Sequence, residues 1–282
     1  MAKIAVIGIC GNSIFMYAEH FHEKGETLVA DSVFEEIGGK GINQAVAAAR
    51  MGAEVSFLAA VGDDKDGQTC MHVAKAEGLK GCFCVKKGKR TTFAFILTDK
   101  HGENQVTEYK GAELSAEDIM GFESEITKSD ILLLQQEVPC EVNDMAVQLA
   151  KKHGVRVILN PAPMREISDE IADAIFAVTP NEQERQAIDG KRFRNNITTL
   201  GKQGCLINED VFIPAIKVHT VDTTGAGDTF NGVLAVCLAE GKDMETACKY
   251  AVTASGISVG RNYVLNAIPY REEIEGRMKD DE

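Results

Sequence analysis

The chain has no excess of positive charge. Lys and Arg together number 30 against 43 Asp and Glu, which gives a formal net charge of −13 at pH 7. Proteins whose main partner is a nucleic acid or an anionic membrane surface are typically basic, so the charge disfavours both classes of partner. A nucleotide needs only a local positive site and is not excluded. We therefore expect a small-molecule partner, with no nucleic acid and no membrane.

Long apolar runs and metal-ligand spacings are also missing. The first apolar segment, Ile4–Ile9, is too short for a signal peptide or a membrane span. The closest cysteine pair, Cys82 and Cys84, has no second pair or histidine at metal-binding spacing, and the pair His20 and His22 is expected at the surface. Several other cysteines occupy apolar segments, where this residue packs as a small hydrophobe: Cys10, Cys205, Cys237 and Cys248. These features favour a reduced, cytoplasmic protein.

No linker, repeat or charge block divides the 282 residues, so we expect one domain over 1–282. Short β-branched runs alternate with helical periods. The predicted strands are Ile4–Ile9, Val55–Val61, Ile131–Leu134, Val155–Leu159, Ala174–Val178 and Ile197–Leu200. The predicted helices are Gly41–Met51, Asp66–Glu77, Glu141–His153, Asn181–Ile188, Ala226–Leu238, Glu245–Gly260 and Tyr270–Met278. This alternation predicts an α/β fold with a mainly parallel sheet covered on both faces.

Two extended stretches interrupt the alternation. Thr27–Ile37 has no helical period, and Thr91–Thr98 and Gln105–Tyr109 flank a predicted turn at Asp99–Gly102. With no helix between them, we expect these strands to pair antiparallel in a small sheet outside the main one. A β lid over a substrate site, covering about 12–37 and 88–112, is one role for such a sheet. A flap without function or a dimer contact is the alternative.

The segment from Asp222 to Gly232 carries the clearest chemical signal. Gly225, Ala226 and Gly227 precede Asp228 and a long apolar helical period, which predicts a tight loop opening into a helix. Unpaired backbone N–H groups and the helix dipole attract anions at such a start. Asp228 would stand where it can accept a proton from an attacking hydroxyl, so the pattern indicates phosphoryl transfer to an alcohol. The alternative is an ordinary helix N-cap.

A second glycine-rich helix start lies at Gly38–Asn43. Lys40 supplies a positive charge for a phosphate, and Asn43 can donate to and accept from hydroxyls. The segment lacks the spacing of the common NTPase P-loop. Alone it is equally typical of a turn, but two such helix starts could face one cleft.

Polar residues also follow several predicted strands, where ligands of parallel sheets bind. Asn181 and Glu184 follow one strand, and Glu184 could hold Mg²⁺ through water or simply belong to an acidic helix start. Thr199, Gly201 and Gly204 lie in a turn that could reach a nucleotide or only join two strands. Glu137 follows another strand and could contact a polyol or shape its loop.

In this order the motifs resemble the ribokinase (PfkB) family of carbohydrate kinases. The residues that carry the resemblance are Gly25-Glu26-Thr27, Gly38-Gly39-Lys40-Gly41 with Asn43 and Ala45, Gly62-Asp63-Asp64 with Gly67, Asn160-Pro161-Ala162-Pro163, Thr179-Pro180-Asn181-Glu182, Thr199-Leu200-Gly201 and Asp222 to Gly232. The resemblance covers nearly the whole chain. It implies a ribokinase-like three-layer fold with a mainly parallel central sheet and a small β lid, and ATP as phosphoryl donor.

The resemblance also implies roles for individual residues. Asp228 matches the catalytic base, and Gly225, Ala226 and Gly227 match the anion hole. The positions that match sugar contacts are Gly39, Lys40, Asn43 and Glu137, to which we add Asn12 and Ser13. The positions that match nucleotide or Mg²⁺ contacts are Asn181, Glu184, Thr199 and Gly201, to which we add Gly204 and Tyr263. Asp222 and Thr224 match a monovalent-cation site of the K⁺ type.

The chain departs from the family pattern at three places. Many members have an Asp near the end of the first strand, whereas this chain has Asn12 and Ser13 there. Few residues separate Gly190 from the strand at Ile197, so the helix before it would have to serve as the connection. The segment Arg261–Asn266 replaces small residues, and its Tyr263 could stack on a base or narrow the pocket.

The expected function is therefore an Mg²⁺-dependent, ATP-using kinase of a primary hydroxyl on a small sugar, with ribose or a related monosaccharide as the first candidate. A nucleoside or a keto-sugar acid is the alternative acceptor. A binding or regulatory protein that kept the cleft and lost turnover is the alternative of another class. The resemblance further suggests a homodimer formed through the lid.

Overall fold

The computed structural model describes residues 1–188, 190–191 and 193–280. Its main sheet contains six parallel strands: β1 (Lys3–Ile7), β4 (Glu54–Gly62), β5 (Lys80–Lys86), β8 (Ile131–Gln135), β9 (Arg156–Asn160) and β10 (Ile175–Val178). Their order across the sheet is β10-β9-β8-β1-β4-β5. The predicted fold class, α/β with a mainly parallel central sheet, is confirmed.

Helices cover both faces of this sheet because its strands are apolar on both sides. The helices are α1 (Lys40–Arg50), α2 (Lys65–Ala76), α3 (Ala116–Thr127), α4 (Cys140–His153), α5 (Asp169–Ala172), α6 (Glu182–Ala187), α7 (Ala226–Ala239), α8 (Met244–Ser258) and α9 (Arg271–Asp280). Along β1, Ile4 and Val6 join the core shared with α1, α7 and α8. Ala5 and Ile7, on the other face, join the core of α3 and α4. These three layers agree with the predicted architecture.

A three-stranded antiparallel sheet continues the main sheet beyond β10. It contains β11 (Ile197–Thr199), β12 (Gly204–Ile207) and β13 (Val211–Pro214). Two parallel bridges, Val178 to Asn196 and Asn181 to Thr199, join it to the end of β10. Within the described residues, α6 is the one helix between β10 and β11, so it serves as the connection, as predicted.

A separate four-stranded sheet, here called the outer sheet, contains β2 (Gly11–Tyr17), β3 (Ser32–Gly38), β6 (Phe93–Thr98) and β7 (Asn104–Tyr109). Its order is β3-β2-β6-β7. The hairpin of β6 and β7 is antiparallel, as predicted. The expectation of an antiparallel sheet throughout is wrong at its centre, because β2 and β6 pair in parallel. The predicted extended stretch from Thr27 forms a strand only from Ser32 onward.

Several elements were not predicted from the sequence: β2, β5, α3, α5, β12 and β13. Strand β2 follows β1 after only three residues and contains polar positions such as Asn12 and Ser13. Its strand pairing comes from β3 and β6, which are distant in the chain. No helix within residues 1–188, 190–191 and 193–280 is long and apolar enough to cross a membrane.

Candidate active site

A cavity of about 530 Å³ lies between the outer sheet and the carboxyl ends of the main-sheet strands. All four outer-sheet strands contribute to its lining on one side. The opposite side is formed by the start of α1, by Glu137 after β8, by the loop before α7 and by Asn262 and Val264. Most of the predicted site residues therefore line this one cavity: Asn12, Ser13, Gly39, Lys40, Asn43, Glu137, Asp222, Thr224, Gly225 and Asp228.

Asp228 lies in the first turn of α7 and its side chain is buried against the cavity. Its Oδ2 accepts a hydrogen bond from Asn43 Nδ2 at 3.0 Å, and its Oδ1 accepts one from Gln44 Nε2 at 2.9 Å. Both donors are amides from the start of α1. Charge-assisted bonds of this kind hold a carboxylate in one orientation.

Close packing of α1 against α7 brings these groups together. A Cβ added at Gly232 would lie 2.5 Å from Ala47 Cβ and 2.6 Å from the carbonyl oxygen of Gln44. Only glycine permits this approach, which sets the first turns of the two helices side by side. Gly232 is the last residue of the segment from Asp222 to Gly232, and this close helix packing explains why the position is glycine.

A buried amide network lies beneath Asp228. Gln44 is fully buried, and its Oε1 accepts a hydrogen bond from Gln135 Nε2 at 2.8 Å. Gln44 Nε2 also lies 3.3 Å from Asn160 Oδ1, and Asn160 Nδ2 in turn donates to the carbonyl oxygen of Thr179 at 3.2 Å. The network spans the ends of β8, β9 and β10. Our sequence analysis gave no role to Gln44 or Gln135, although Gln44 lies within the quoted motif.

The loop before α7 turns sharply at Gly225 into the first turn of the helix. Gly225 has a φ of 74°, a conformation that favours glycine, and a Cβ there would lie 2.4 Å from Val264 Cγ1. The first backbone bond of the helix runs from Thr229 N to Gly225 O. The N–H groups of Gly227 and Asp228 therefore have no intrahelical partner. The Ala226 N–H lies 3.3 Å from Thr223 O within the turn.

Lys40 and Glu137 supply coupled charges beside Asp228. The Asp228 carboxylate is the main cause that raises the pKa of Lys40. Burial raises the pKa of Glu137 to about 7, opposed by the charge of Lys40 and reinforced by that of Asp228. The backbone N–H of Lys40 donates to Glu137 Oε2 at 2.8 Å. Glu137 lines the cavity, so a buried carboxyl with a raised pKa lies at its wall.

Two carboxylates that our sequence analysis missed also line the cavity, Glu36 from β3 and Glu108 from β7. Ser13 pairs directly with Glu36 across the antiparallel strands. The only sequence signal for Glu36 was a charge within the extended stretch, since its place opposite Ser13 depends on strand register. Asn12 Nδ2 lies 3.2 Å from Glu35 Oε2 and 3.4 Å from Asp66 Oδ1.

The residues predicted to bind nucleotide lie outside this cavity lining. Asn181 and Thr199 form a bridge where β10 and β11 end, and Gly201 begins the short turn Gly201–Gln203. Gly204 is packed so tightly that a Cβ would lie 2.0 Å from Ile213 O, a structural reason for glycine there. The charge of Glu184 contributes to the raised pKa of Lys40.

Asn181 and Glu184 form a capping box at the start of α6. Asn181 Oδ1 accepts hydrogen bonds from the N–H groups of Gln183 and Glu184, and Glu184 Oε2 accepts one from the Asn181 N–H at 2.8 Å. This is the structural role that the sequence left as an alternative. Burial raises the pKa of Glu184. One of its carboxylate oxygens is used in the cap.

Tyr263, proposed to stack on a base, stacks on Phe34 of the outer sheet. The ring centroids are 3.6 Å apart and the planes are inclined by 17°. One face of the Tyr263 ring is therefore covered by a side chain, and only the other face is available to a base. Tyr263 also has a φ of 68°.

The predicted cation ligands Asp222 and Thr224 lie in the turn before Gly225, where Asp222 Oδ1 accepts a hydrogen bond from the Thr224 N–H at 2.9 Å. In the described part of the chain, no three His, Cys, Asp or Glu side chains gather into a group that could hold a metal ion. Any Mg²⁺ in this cleft would therefore depend on water and phosphate oxygens for most of its ligands.

Comparisons with known proteins support one family. The model of the pfkB family of carbohydrate kinases matches residues 1–271. A ribokinase from Bacillus subtilis is 36% identical over 291 residues, which cover 98% of this chain and 99% of that protein. The crystal structure of a ribokinase from Thermotoga maritima, 33% identical, superposes with a TM-score of 0.90 over 99% of this chain and all of that chain.

The structure of an Arabidopsis thaliana ribokinase complexed with ribose and ATP is 26% identical and superposes with a TM-score of 0.87, covering 99% of each chain. The fold, the motif order and these matches agree across the whole length. The predicted family and the predicted enzyme class are confirmed: the chain belongs to the pfkB family of carbohydrate kinases.

Proposed function

We propose that this chain transfers the γ-phosphoryl group of ATP to a primary hydroxyl of a small sugar, with ribose or a related monosaccharide as acceptor. The observation that carries the proposal is the Asp228 carboxylate. It is oriented by Asn43 and Gln44, lies at a glycine-rich helix start, and opens onto a cavity beside Lys40. An acceptor alcohol in this cavity can lie beside both a base, Asp228, and an anion-binding helix start.

In the proposed reaction the acceptor hydroxyl oxygen attacks the γ-phosphorus and Asp228 accepts the hydroxyl proton. The bond between the γ-phosphorus and the bridging oxygen breaks, and ADP leaves. Backbone N–H groups at Gly225, Ala226 and Gly227 face the charge that develops on the transferred group, with Gly227 the clearest free donor. Lys40 adds a positive charge to the same end of the cavity.

We assign ATP to the strand ends beside this cavity, with Asn181, Thr199, Gly201, Gly204 and Tyr263 as its contacts. Strands β8, β9 and β10 are neighbours in the parallel sheet, so their carboxyl ends lie side by side, which supports one cleft for ATP and the acceptor. Glu184 would hold Mg²⁺ through water with the oxygen not used in the capping box, and the ion would neutralise phosphate charge. Asp222 and Thr224 would hold K⁺ or a similar ion beside the anion site.

The charge of the cavity favours a neutral acceptor. Glu36, Glu108 and Glu137 line it together with Asp222 and Asp228, and Lys40 is the one cationic side chain among the lining residues that the structure describes. A keto-sugar acid would place its carboxylate among these groups, so this alternative is disfavoured. A nucleoside remains the alternative acceptor, and the similarity to ribokinases favours ribose.

We further propose that the outer sheet acts as a lid that excludes water from the transfer. We also propose a homodimer through the face of the outer sheet that points away from the cavity, since Val33, Phe95 and Tyr109 are exposed there. Light scattering of the purified protein would test the oligomeric state. The eight free cysteines agree with a reducing, cytoplasmic setting.

ADP release measured over a panel of acceptors tests the function. The panel contains ribose, other pentoses and hexoses, nucleosides and keto-sugar acids, each with ATP and Mg²⁺. We expect acceptor-dependent ADP release, highest with a neutral monosaccharide. Sugar binding by calorimetry with no product from any acceptor would contradict a kinase and support a binding protein instead.

A further inference from the structure

Strand β3 of the outer sheet contacts the segment Arg261–Asn266, here called the 261–266 loop, through two side chains on one face. Phe34 stacks on Tyr263, as described above. Glu36 Oε1 accepts a hydrogen bond from the Val264 N–H at 2.9 Å, and its Oε2 lies 3.3 Å from the Leu265 N. One carboxylate thus spans two successive amides, which fixes both the distance and the orientation of the loop.

The same loop touches the start of α7. Val264 Cγ1 would lie 2.4 Å from a Cβ at Gly225, so the Val264 side chain packs directly over Gly225. At its other end, Arg50 Nη1 donates to the carbonyl oxygens of Leu265 and Ile268 at 2.6 and 2.8 Å. The loop is therefore held by the outer sheet on one side and by the end of α1 on the other.

We propose that Glu36 is a positioning residue for phosphoryl transfer. It holds Val264 over Gly225 and so fixes the amides at the start of α7 relative to the outer sheet. The inference rests on the proposed function, because it takes those amides as the anion site. Tyr263 also belongs to this contact, since it has a positive φ and its ring stacks on Phe34 of the same strand as Glu36.

Direct contact between Glu36 and the acceptor is the competing role, because the Glu36 side chain also lines the cavity. The two roles differ in what they change. A positioning residue acts on kcat, whereas an acceptor ligand acts on the affinity for the acceptor.

The experiment compares Glu36→Ala and Glu36→Gln with the control Glu103→Gln. Glu103 is exposed in the turn between β6 and β7 and lies outside the cavity lining. The measurements are kcat with ribose and ATP, the ribose Kd by calorimetry without ATP, and hydrogen exchange at the Val264 and Leu265 amides. Circular dichroism verifies that each variant is folded.

For Glu36→Ala we expect both amides to lose protection and kcat to fall roughly ten- to a hundredfold, with the ribose Kd unchanged. Glu36→Gln keeps one acceptor oxygen, so its kcat and protection should lie between those of Glu36→Ala and the wild type. Glu103→Gln should match the wild type.

The failures of the two proposals are distinguishable. A wild type that phosphorylates none of the acceptors contradicts the proposed function. An active wild type with unchanged kcat in Glu36→Ala overturns the role of Glu36. A weaker ribose Kd that accounts for the whole loss of kcat/KM also overturns it, because that result assigns Glu36 to the acceptor.

Discussion

The two sides of the cavity are built in different ways. The side that we propose for phosphoryl transfer, here called the transfer side, consists of two helix starts, Gly39–Asn43 and Gly225–Asp228, whose packing is set by Gly232. The side that we propose for the sugar, here called the acceptor side, consists of outer-sheet strands that pair over long separations, as with Ser13 opposite Glu36 and Asn12 opposite Phe93. Short motifs thus encode the first side, and strand register encodes the second.

This difference suggests that the two sides contribute to different steps, one to phosphoryl transfer and the other to acceptor binding. Substitutions on the transfer side should lower kcat and leave acceptor affinity largely intact, because they act on groups that work in the transition state. Substitutions on the acceptor side should act on acceptor affinity, except at Glu36, which contacts the 261–266 loop and through it the transfer side. The predictions below test this division, beginning with the largest expected effect.

Asp228→Asn removes the proposed base while keeping the size of the side chain. We expect kcat to fall about 10²–10⁴-fold, the range typical of a positioned general base. The Kd values for ATP and ribose, measured by calorimetry, should stay near those of the wild type. Asp31→Asn, at an exposed position in the outer-sheet region, is the matched control. Retention of more than a tenth of the wild-type kcat by Asp228→Asn would remove Asp228 from the mechanism.

Gly225→Ala adds a Cβ at a φ of 74° and places it 2.4 Å from Val264 Cγ1. The start of α7 must then shift, so we expect kcat to fall roughly 10²-fold, as when one oxyanion donor is lost. Gly241→Ala is the control, because Gly241 has a φ of 83° at the other end of α7 and space for a Cβ.

Both glycine variants should lose about 1–2 kcal/mol of unfolding free energy from the positive φ. Urea unfolding of both variants measures this loss of unfolding free energy. Equal kcat in the two variants would show that the geometry of the Gly225 turn does not matter for transfer.

Gln44→Met removes one donor to Asp228 and leaves a side chain of similar length. A hydrogen bond to a charged group contributes about 1.5–3 kcal/mol, so kcat should fall about tenfold or more with an unchanged KM for the acceptor. Gln148→Met, on the exposed face of α4, controls for the chemical change. A rise in the acceptor KM with constant kcat would place Gln44 on the acceptor side instead.

Glu137→Gln tests the carboxyl whose pKa is raised to about 7. Above that pH the ionised group accepts hydrogen bonds from acceptor hydroxyls more strongly, so ribose affinity should rise severalfold as pH increases through about 7. Calorimetry between acidic and alkaline pH should show this step in the wild type and in Glu141→Gln. This pH-dependent rise in ribose affinity should be absent from Glu137→Gln. If the variant still shows the rise, another group is responsible for it.

Ser13→Ala should give the smallest effect. A neutral hydrogen bond contributes about 0.5–1.5 kcal/mol, so the acceptor KM should rise only a few fold, with kcat unchanged. Ser32→Ala, in the same sheet and exposed, is the control. A fall in kcat as large as that of Gln44→Met would break the division between the two sides.

The sequence was sufficient for the parts of the fold that depend on local pattern. Buried strands with continuous apolar runs, such as Ile131–Leu134, and helices ended by glycine, such as the one before Gly154, were predicted close to their observed positions. Asp228 and Asn43 were predicted to face one cleft because each belongs to a short contiguous motif at a glycine-rich helix start. The same argument could not find Glu36 or Glu108, since each faces the cavity only after distant strands pair.

Tyr263 illustrates the same limit. The sequence shows a large residue where the family pattern has small ones, and an open aromatic face was a reasonable expectation. Phe34 lies more than two hundred residues away in the chain, and its ring covers one face of Tyr263. A contact between such distant segments depends on how the outer sheet docks, which no local pattern encodes.

The central claim is that this chain places phosphate on a primary hydroxyl of a sugar. Incubation with ribose, ATP and Mg²⁺, followed by phosphorus–proton correlation NMR of the product, tests it most directly. We expect a new phosphate monoester whose phosphorus couples to the two protons of a methylene carbon, formed together with ADP. Inorganic phosphate as the only phosphorus product besides ADP, or a phosphorus coupled to a single proton on the ring, would contradict the claim.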